Sequence, residues 1–177
     1  MLNRLRGRAR RKPLLWGVLV VAVVSGFLVF ALGARPGLEV LNAVPVERGF
    51  VGTTYAFDEL LCVSTRVSSA TVTGVEIEQA DGSTTRLVRP PAGSPPTVGF
   101  PAPDQGTPVA GFTVAAGESG CGLRLLVTPL RTGVVLPGTV RLRLTYGPGG
   151  VLPRTLVLTP PITITVIGTG PDPRSAP

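Results

Sequence analysis

An all-β sandwich standing behind one amino-terminal membrane helix is the architecture that this chain of 177 residues predicts. Three observations predict it. A run of 20 uncharged residues, Leu14 to Gly33, follows a strongly basic head. Beyond it, apolar and polar residues alternate with a period of two in short stretches divided by glycine and proline. The only two cysteines, Cys62 and Cys121, both fall in that later part.

The first element follows from length and charge. At about 1.5 Å per residue a 20-residue helix is about 30 Å long, the thickness of a bilayer's hydrocarbon core. Arg4, Arg6, Arg8, Arg10, Arg11 and Lys12 precede the run, whereas only Arg35 follows it before Glu39. The positive-inside bias therefore puts residues 1–13 in the cytoplasm as a basic tail, makes 14–33 a signal anchor in contact with membrane lipid, and places the rest outside the cytoplasm. Trp16 suits the headgroup boundary. The rival reading is a secreted soluble domain, because Ala31 and Gly33 have the small-residue spacing of a cleavage site before Ala34. The apolar run is longer than the roughly 7–15 residues of a signal core, so an uncleaved anchor is expected. Ala22 and Gly26 lie four apart and would let two such helices approach, but small residues scattered in a membrane helix explain them as well, and a homo-oligomer is not expected.

Composition narrows the class. The formal charge is +7, but six of the 17 basic residues lie in the first 12 positions, which leaves 11 basic against 10 acidic, or +1, from Pro13 onward. The basicity is a topology signal, and no nucleic-acid partner is expected. Arginine far outnumbers lysine, and Ala, Gly, Pro and Val are plentiful, the coding bias of a GC-rich bacterial genome. The residues after 33 suffice for one domain, expected over 34–167, followed by a Pro/Gly-rich disordered tail at 168–177. Outside the cytoplasm an even cysteine pair closes, so a Cys62–Cys121 disulfide is expected, and its spacing suggests a bond between two sheets.

The strands come next. In TVRLRLTY, Val140, Leu142, Leu144 and Tyr146 point one way and Thr139, Arg141, Arg143 and Thr145 the other, the mark of a half-buried antiparallel strand. TVTGVEIEQ, an Asp81-Gly82 turn and TTRLV read as a hairpin. Further strands are expected near 38–46, 57–65, 109–115, 122–128, 154–158 and 162–167. About seven to nine short strands in one domain argue for a sandwich, with an immunoglobulin-like topology as the leading choice. Antibody-type domains carry a core Trp between the cysteines and a Tyr two residues before the second; here Trp16 is the only Trp and residue 119 is Ser, so the chain departs from that pattern. Between Arg89 and Pro108 proline and glycine are too dense for a central strand; a slack linker with Phe100 tucked onto the core is the plainer reading, and Phe100 as a ready apolar contact for a partner is the functional one.

The chemistry is bounded mainly by exclusion. The chain has no histidine, which removes Ser-His-Asp and Cys-His nucleophiles and ordinary zinc or copper sites. GESGC at 117–121 approaches a nucleophile motif, but Ser119 has no base, and the single lysine, Lys12, is on the cytoplasmic side. No calcium loop, phosphate loop or dinucleotide fingerprint occurs, so no cofactor, metal or catalytic residue is assigned. Carboxylates remain: Asp58-Glu59 are neighbours and Glu76 and Glu78 share a face, both read as solvated charges. Arg141 and Arg143 share an outward face; ion pairs with the glutamates and plain solvation are the expected reading, and an anionic glycan or phosphate held together with Arg124 or Arg154 is the alternative. The expected function is a membrane-anchored envelope protein whose domain binds or positions another envelope component, a protein or a glycan, without catalysis. A carboxylate-dependent cell-wall enzyme is the alternative.

Overall fold

The computed structural model describes residues 11–40, 44–102 and 105–170, without the side chains of 11–15 and 31. The basic head at 1–10 and most of the expected tail, at 171–177, lie outside the described residues. Helix α1 (Arg11–Gly33) runs the full length of the apolar stretch. Among the described residues no helix is long and apolar enough to cross a membrane.

The rest is β-structure. In chain order the strands are β1 (Gly37–Val40), β2 (Val44–Val51), β3 (Tyr55–Asp58), β4 (Leu61–Ser64), β5 (Ala70–Glu78), β6 (Ser83–Val88), β7 (Val98–Pro101) and β8 (Thr113–Val114). They continue as β9 (Ser119–Gly120), β10 (Arg124–Pro129), β11 (Gly133–Val135), β12 (Thr139–Tyr146), β13 (Leu152–Leu158) and β14 (Ile162–Thr169). The pairing orders are β1-β4-β9, β6-β10-β3-β7, β11-β14-β2 and β13-β12-β5-β8. These sheets enclose one apolar core, in which Phe57, Leu125, Leu142 and Ile164 are completely buried, an arrangement consistent with an all-β sandwich. The strand segments outnumber the expectation because breaks divide longer runs. Glu59, at φ 59°, interrupts the run from 55 to 64; of the strand expected near 38–46, β1 and β2 are described, and residues 41–43 lie outside the described residues.

The alternation read in TVRLRLTY survives in space: Val140, Leu142, Leu144 and Tyr146 are buried, and Thr139, Arg141, Arg143 and Thr145 are not. The hairpin expected at Asp81-Gly82 does not form, because β5 pairs with β12 and β6 with β10. Gly82 does supply the positive φ of 82°, but the turn carries the chain from one sheet to another. Gln79 fixes that corner: its Oε1 accepts from the Thr85 N–H at 2.6 Å and its Nε2 donates to the Thr85 carbonyl at 2.9 Å. One side chain thus makes the two bonds that a paired residue would have made.

Cys62 and Cys121 are bonded. The bond does not join two sheets, however. Val63 pairs with Gly120 and Ser64 with Ser119, so Cys62 faces Cys121 across neighbouring antiparallel strands, with Cα atoms 4.2 Å apart. That spacing is near the ~4.5 Å of a pair without mutual hydrogen bonds, which brings both side chains out on one face.

Candidate binding surface at an open strand edge

The segment 89–108 carries structure that composition concealed. It begins with a paired bridge between Arg89 and Thr107 and contains β7, which adds to β3 as the outermost strand of its sheet. Prolines are tolerated there because one side of an edge strand needs no ladder donors. Tyr55 pairs with Pro101 and Ala56 with Phe100. Ala102, just beyond β7, packs on Ala56, Val88 and Leu126, so this segment covers the outer face of the sheet as well as extending its edge.

Under that cover lies a buried ion pair. Asp58 and Arg124 are opposite each other on β3 and β10, 6% and 4% exposed. Arg124 Nε donates to Asp58 Oδ1 at 2.6 Å and Nη2 donates to Oδ2 at 2.7 Å, a two-pronged contact. The hydrogen bonds from Arg124 to Asp58 hold the guanidinium above its ordinary, already strongly alkaline pKa; burial opposes the shift and the carboxylate charge adds to it. Asp58 also holds the covering segment: Oδ2 accepts from the Thr97 N–H at 2.7 Å, and the Asp58 N–H donates to the Thr97 carbonyl at 2.7 Å. Thr97 immediately precedes β7, so the pair fixes where the strand starts. Reading Asp58 as a solvated charge and Arg124 as a member of an outward arginine face is corrected on both counts.

What β7 presents outward is apolar. Phe100 is 55% exposed and Val98 43% exposed, with Gly99 between them at φ 71°. A Cβ on Gly99 would come 3.1 Å from Val46 Cγ2, so the glycine allows β7 to lie close against β2. Between the two strands is a cleft of about 290 Å³ lined by Val44, Val46, Arg48, Val98 and Phe100 among others. Phe100 therefore lies at an open edge, as a contact residue requires, and is not tucked onto the core.

The remaining candidates are placed elsewhere. Arg143 is paired with Glu76, and Arg141 Nη2 lies 3.3 Å from Glu78 Oε2; all four side chains are on the solvent face of β12 and β5. Their register, Arg141 opposite Glu76 and Thr139 opposite Glu78, makes these diagonal cross-strand pairs. Arg124 is not near them. Ser119 is in β9 beside the disulfide. Among the described residues no group of three His, Cys, Asp or Glu could hold a metal ion. Sequence reasoning named Asp58 and Arg124 but missed their burial and their pairing, and it missed Thr97; the available signal was that FDELLC and LRLLV set charges inside apolar runs.

No protein-family model matches the chain, and no curated protein matches it. Among solved structures, a family 123 glycoside hydrolase from Clostridium perfringens, studied for glycolipid glycan hydrolysis, aligns with 76% of this chain at 9% identity and a TM-score of 0.32. The aligned part is 27% of the hydrolase chain, and a likeness of that degree carries no inference about fold or chemistry.

Proposed function

We propose that this is a single-pass membrane-anchored envelope protein whose extracytoplasmic sandwich binds another envelope component through the β7 edge, without catalysing a reaction. The observation that carries the binding half is Phe100, 55% exposed on an edge strand that is tied down by Asp58. A large aromatic held outward on a proline-bounded strand loses little entropy when a partner covers it, and such anchors contribute much of the free energy of an interface. The anchor half rests on the 20 uncharged residues within α1 and on their exposure: Trp16, Leu19, Val23, Phe27 and Val29 are all more than half exposed. Lipid is the medium that would cover them.

The wiring also supports an immunoglobulin-like reading. The β11–β14 pairing prolongs the β12–β13 hairpin, and β3 and β9 run on into β4 and β10. Joined in this way, one layer reads β1/β7-β3/β4-β9/β10-β6, with β1 beside β4 and β7 beside β3 on the same flank, and the other β2-β13/β14-β11/β12-β5-β8. The first strand splits between layers, and its second half, β2, lies parallel to the last strand, β14. That combination is the reason to prefer this topology over other sandwiches.

Two experiments test the proposal. In the full chain, Phe100→Ala should lower capture of the partner from detergent-solubilised membranes about thirtyfold, equivalent to roughly 2 kcal/mol, while thermal unfolding stays within about 0.5 kcal/mol of the parent. Unchanged capture overturns the β7 edge as the binding surface. A reporter that works only outside the cytoplasm, fused after Pro177, should be active and remain in the membrane pellet after alkaline washing; an inactive or fully released fusion overturns the anchor.

A further inference from the structure

We infer that a second cleft, at the end of the domain where α1 enters, binds the phosphodiester of an anionic membrane-lipid headgroup. This rests on the anchored reading above. The cleft, about 400 Å³, is lined by Arg35, Arg66, Arg154, Ser64, Ser119 and Glu39. Three arginines and one glutamate among the lining residues give a formal charge of +2. Among the described residues none of the three arginines belongs to an ion pair, in contrast to Arg124, Arg131, Arg141 and Arg143. They come from separate parts of the chain: Arg35 two residues after α1, Arg66 from the β4–β5 connection, and Arg154 from β13. Arginines from three segments lining one cleft, with no ion pair among the described residues, suit the multiple oxygens of a phosphate group. A Cβ at Gly37 would lie 3.0 Å from Ser64 Oγ, so the glycine leaves that hydroxyl open beside them.

The place of the cleft argues for lipid as the source of the phosphate. Phe30 and Ala34, at the end of α1, pack against Ala70, Tyr146 and Leu152, which seats the helix on this pole of the domain. If α1 spans the bilayer to Gly33, Arg35 stands at the level of the outer headgroups. Two exposed apolar residues lie near these arginines in the chain: Val67, 52% exposed and next to Arg66, and Val151, 71% exposed and three residues before Arg154. Arginines with apolar neighbours suit a surface that meets both headgroups and acyl chains.

The test uses the full chain, labelled with nitrogen-15 arginine, in neutral maltoside micelles. It is titrated separately with dihexanoyl phosphatidylglycerol, dihexanoyl phosphatidylcholine, inorganic phosphate and an oligogalacturonate, while the Nε–Hε resonances of Arg35, Arg66 and Arg154 are followed. Phosphatidylglycerol should shift all three saturably, about tenfold more tightly than phosphatidylcholine or phosphate. Arg66→Gln should weaken that binding about tenfold and leave the backbone amide spectrum otherwise unchanged. Equal affinity for inorganic phosphate makes this a free-anion site, and preference for the oligogalacturonate makes it a glycan site; either overturns the lipid assignment, as does the absence of any saturable shift. Because the lipid probes are short-chain, the titration does not require α1 to span a bilayer. A failed titration with an active membrane-bound fusion retires the cleft alone, whereas an inactive fusion retires the anchor and with it the lipid as the source.

Discussion

Replacing Asp58 by Asn keeps the size and shape of the side chain and removes its charge. Arg124 is 4% exposed and both of its short hydrogen bonds end on Asp58, so the substitution leaves a buried guanidinium without its counter-charge. Breaking a buried pair from one side costs about 3–5 kcal/mol, a large part of the 5–15 kcal/mol by which domains are stable. For a domain of this size that lowers Tm by roughly 10–15 °C. The same carboxylate holds the Thr97 amide, so that proton should also exchange faster. Thermal melts followed by circular dichroism at the β-sheet band measure the first effect and hydrogen exchange the second. The paired replacement Asp58→Leu with Arg124→Leu should recover most of the loss, since an apolar pair of similar volume replaces a buried ion pair at little cost. The pH dependence has a definite sign. A basic group whose pKa is raised on folding contributes its full stability below its unfolded pKa and loses it only as pH rises through the folded one. Arg124 is raised from an already strongly alkaline value, so the guanidinium adds no change in the deficit between pH 7 and pH 10. An Asp58→Asn protein within about 1 kcal/mol of the parent would refute the reasoning.

Cys62→Ser should destabilise the domain by about 4 kcal/mol in the loop-entropy treatment, given a separation of 59 residues, and peptide mapping without reduction should show the parent's two thiols joined to each other. Gly49→Ala places a methyl 2.7 Å from Ile164 Cγ2, inside the core where β2 meets β14, and should cost about 1–3 kcal/mol in urea unfolding.

The parts of this molecule that were legible in its sequence are those where one face of a strand meets core and the other meets water. TVRLRLTY and ITITVIGT show it, because each retains its alternation in burial. Where a segment lies over the second face, the alternation disappears. All four residues of β3 are buried because Phe57 faces the core while Ala56 and Asp58 lie beneath the 89–108 segment. A charge in such a strand looks no different in sequence from one on a solvated face, and only the register that sets Asp58 opposite Arg124 gives it a partner. The Asp81-Gly82 turn was visible, but not the sheet to which each flanking strand would go; Gln79 bonding to Thr85 leaves no periodic trace. Phe100 was legible as a candidate because it is an aromatic among prolines, but its exposure was not, and neither was the Arg35–Arg66–Arg154 cleft, assembled across some 120 residues.

The direction of the strands next to α1 determines how the domain would respond to being pulled. β1 follows α1 in the chain and pairs antiparallel with β4, while β2 pairs parallel with β14. Ladder hydrogen bonds lie across the strands, so tension applied through α1 acts along the strand axes and at right angles to the bonds. The bonds of each ladder are then loaded in shear and must give way together, whereas a strand drawn off sideways would open one bond at a time. A strand loaded along its length in this way gives up its ladder only as a whole, whereas the same strand approached from the side yields bond by bond.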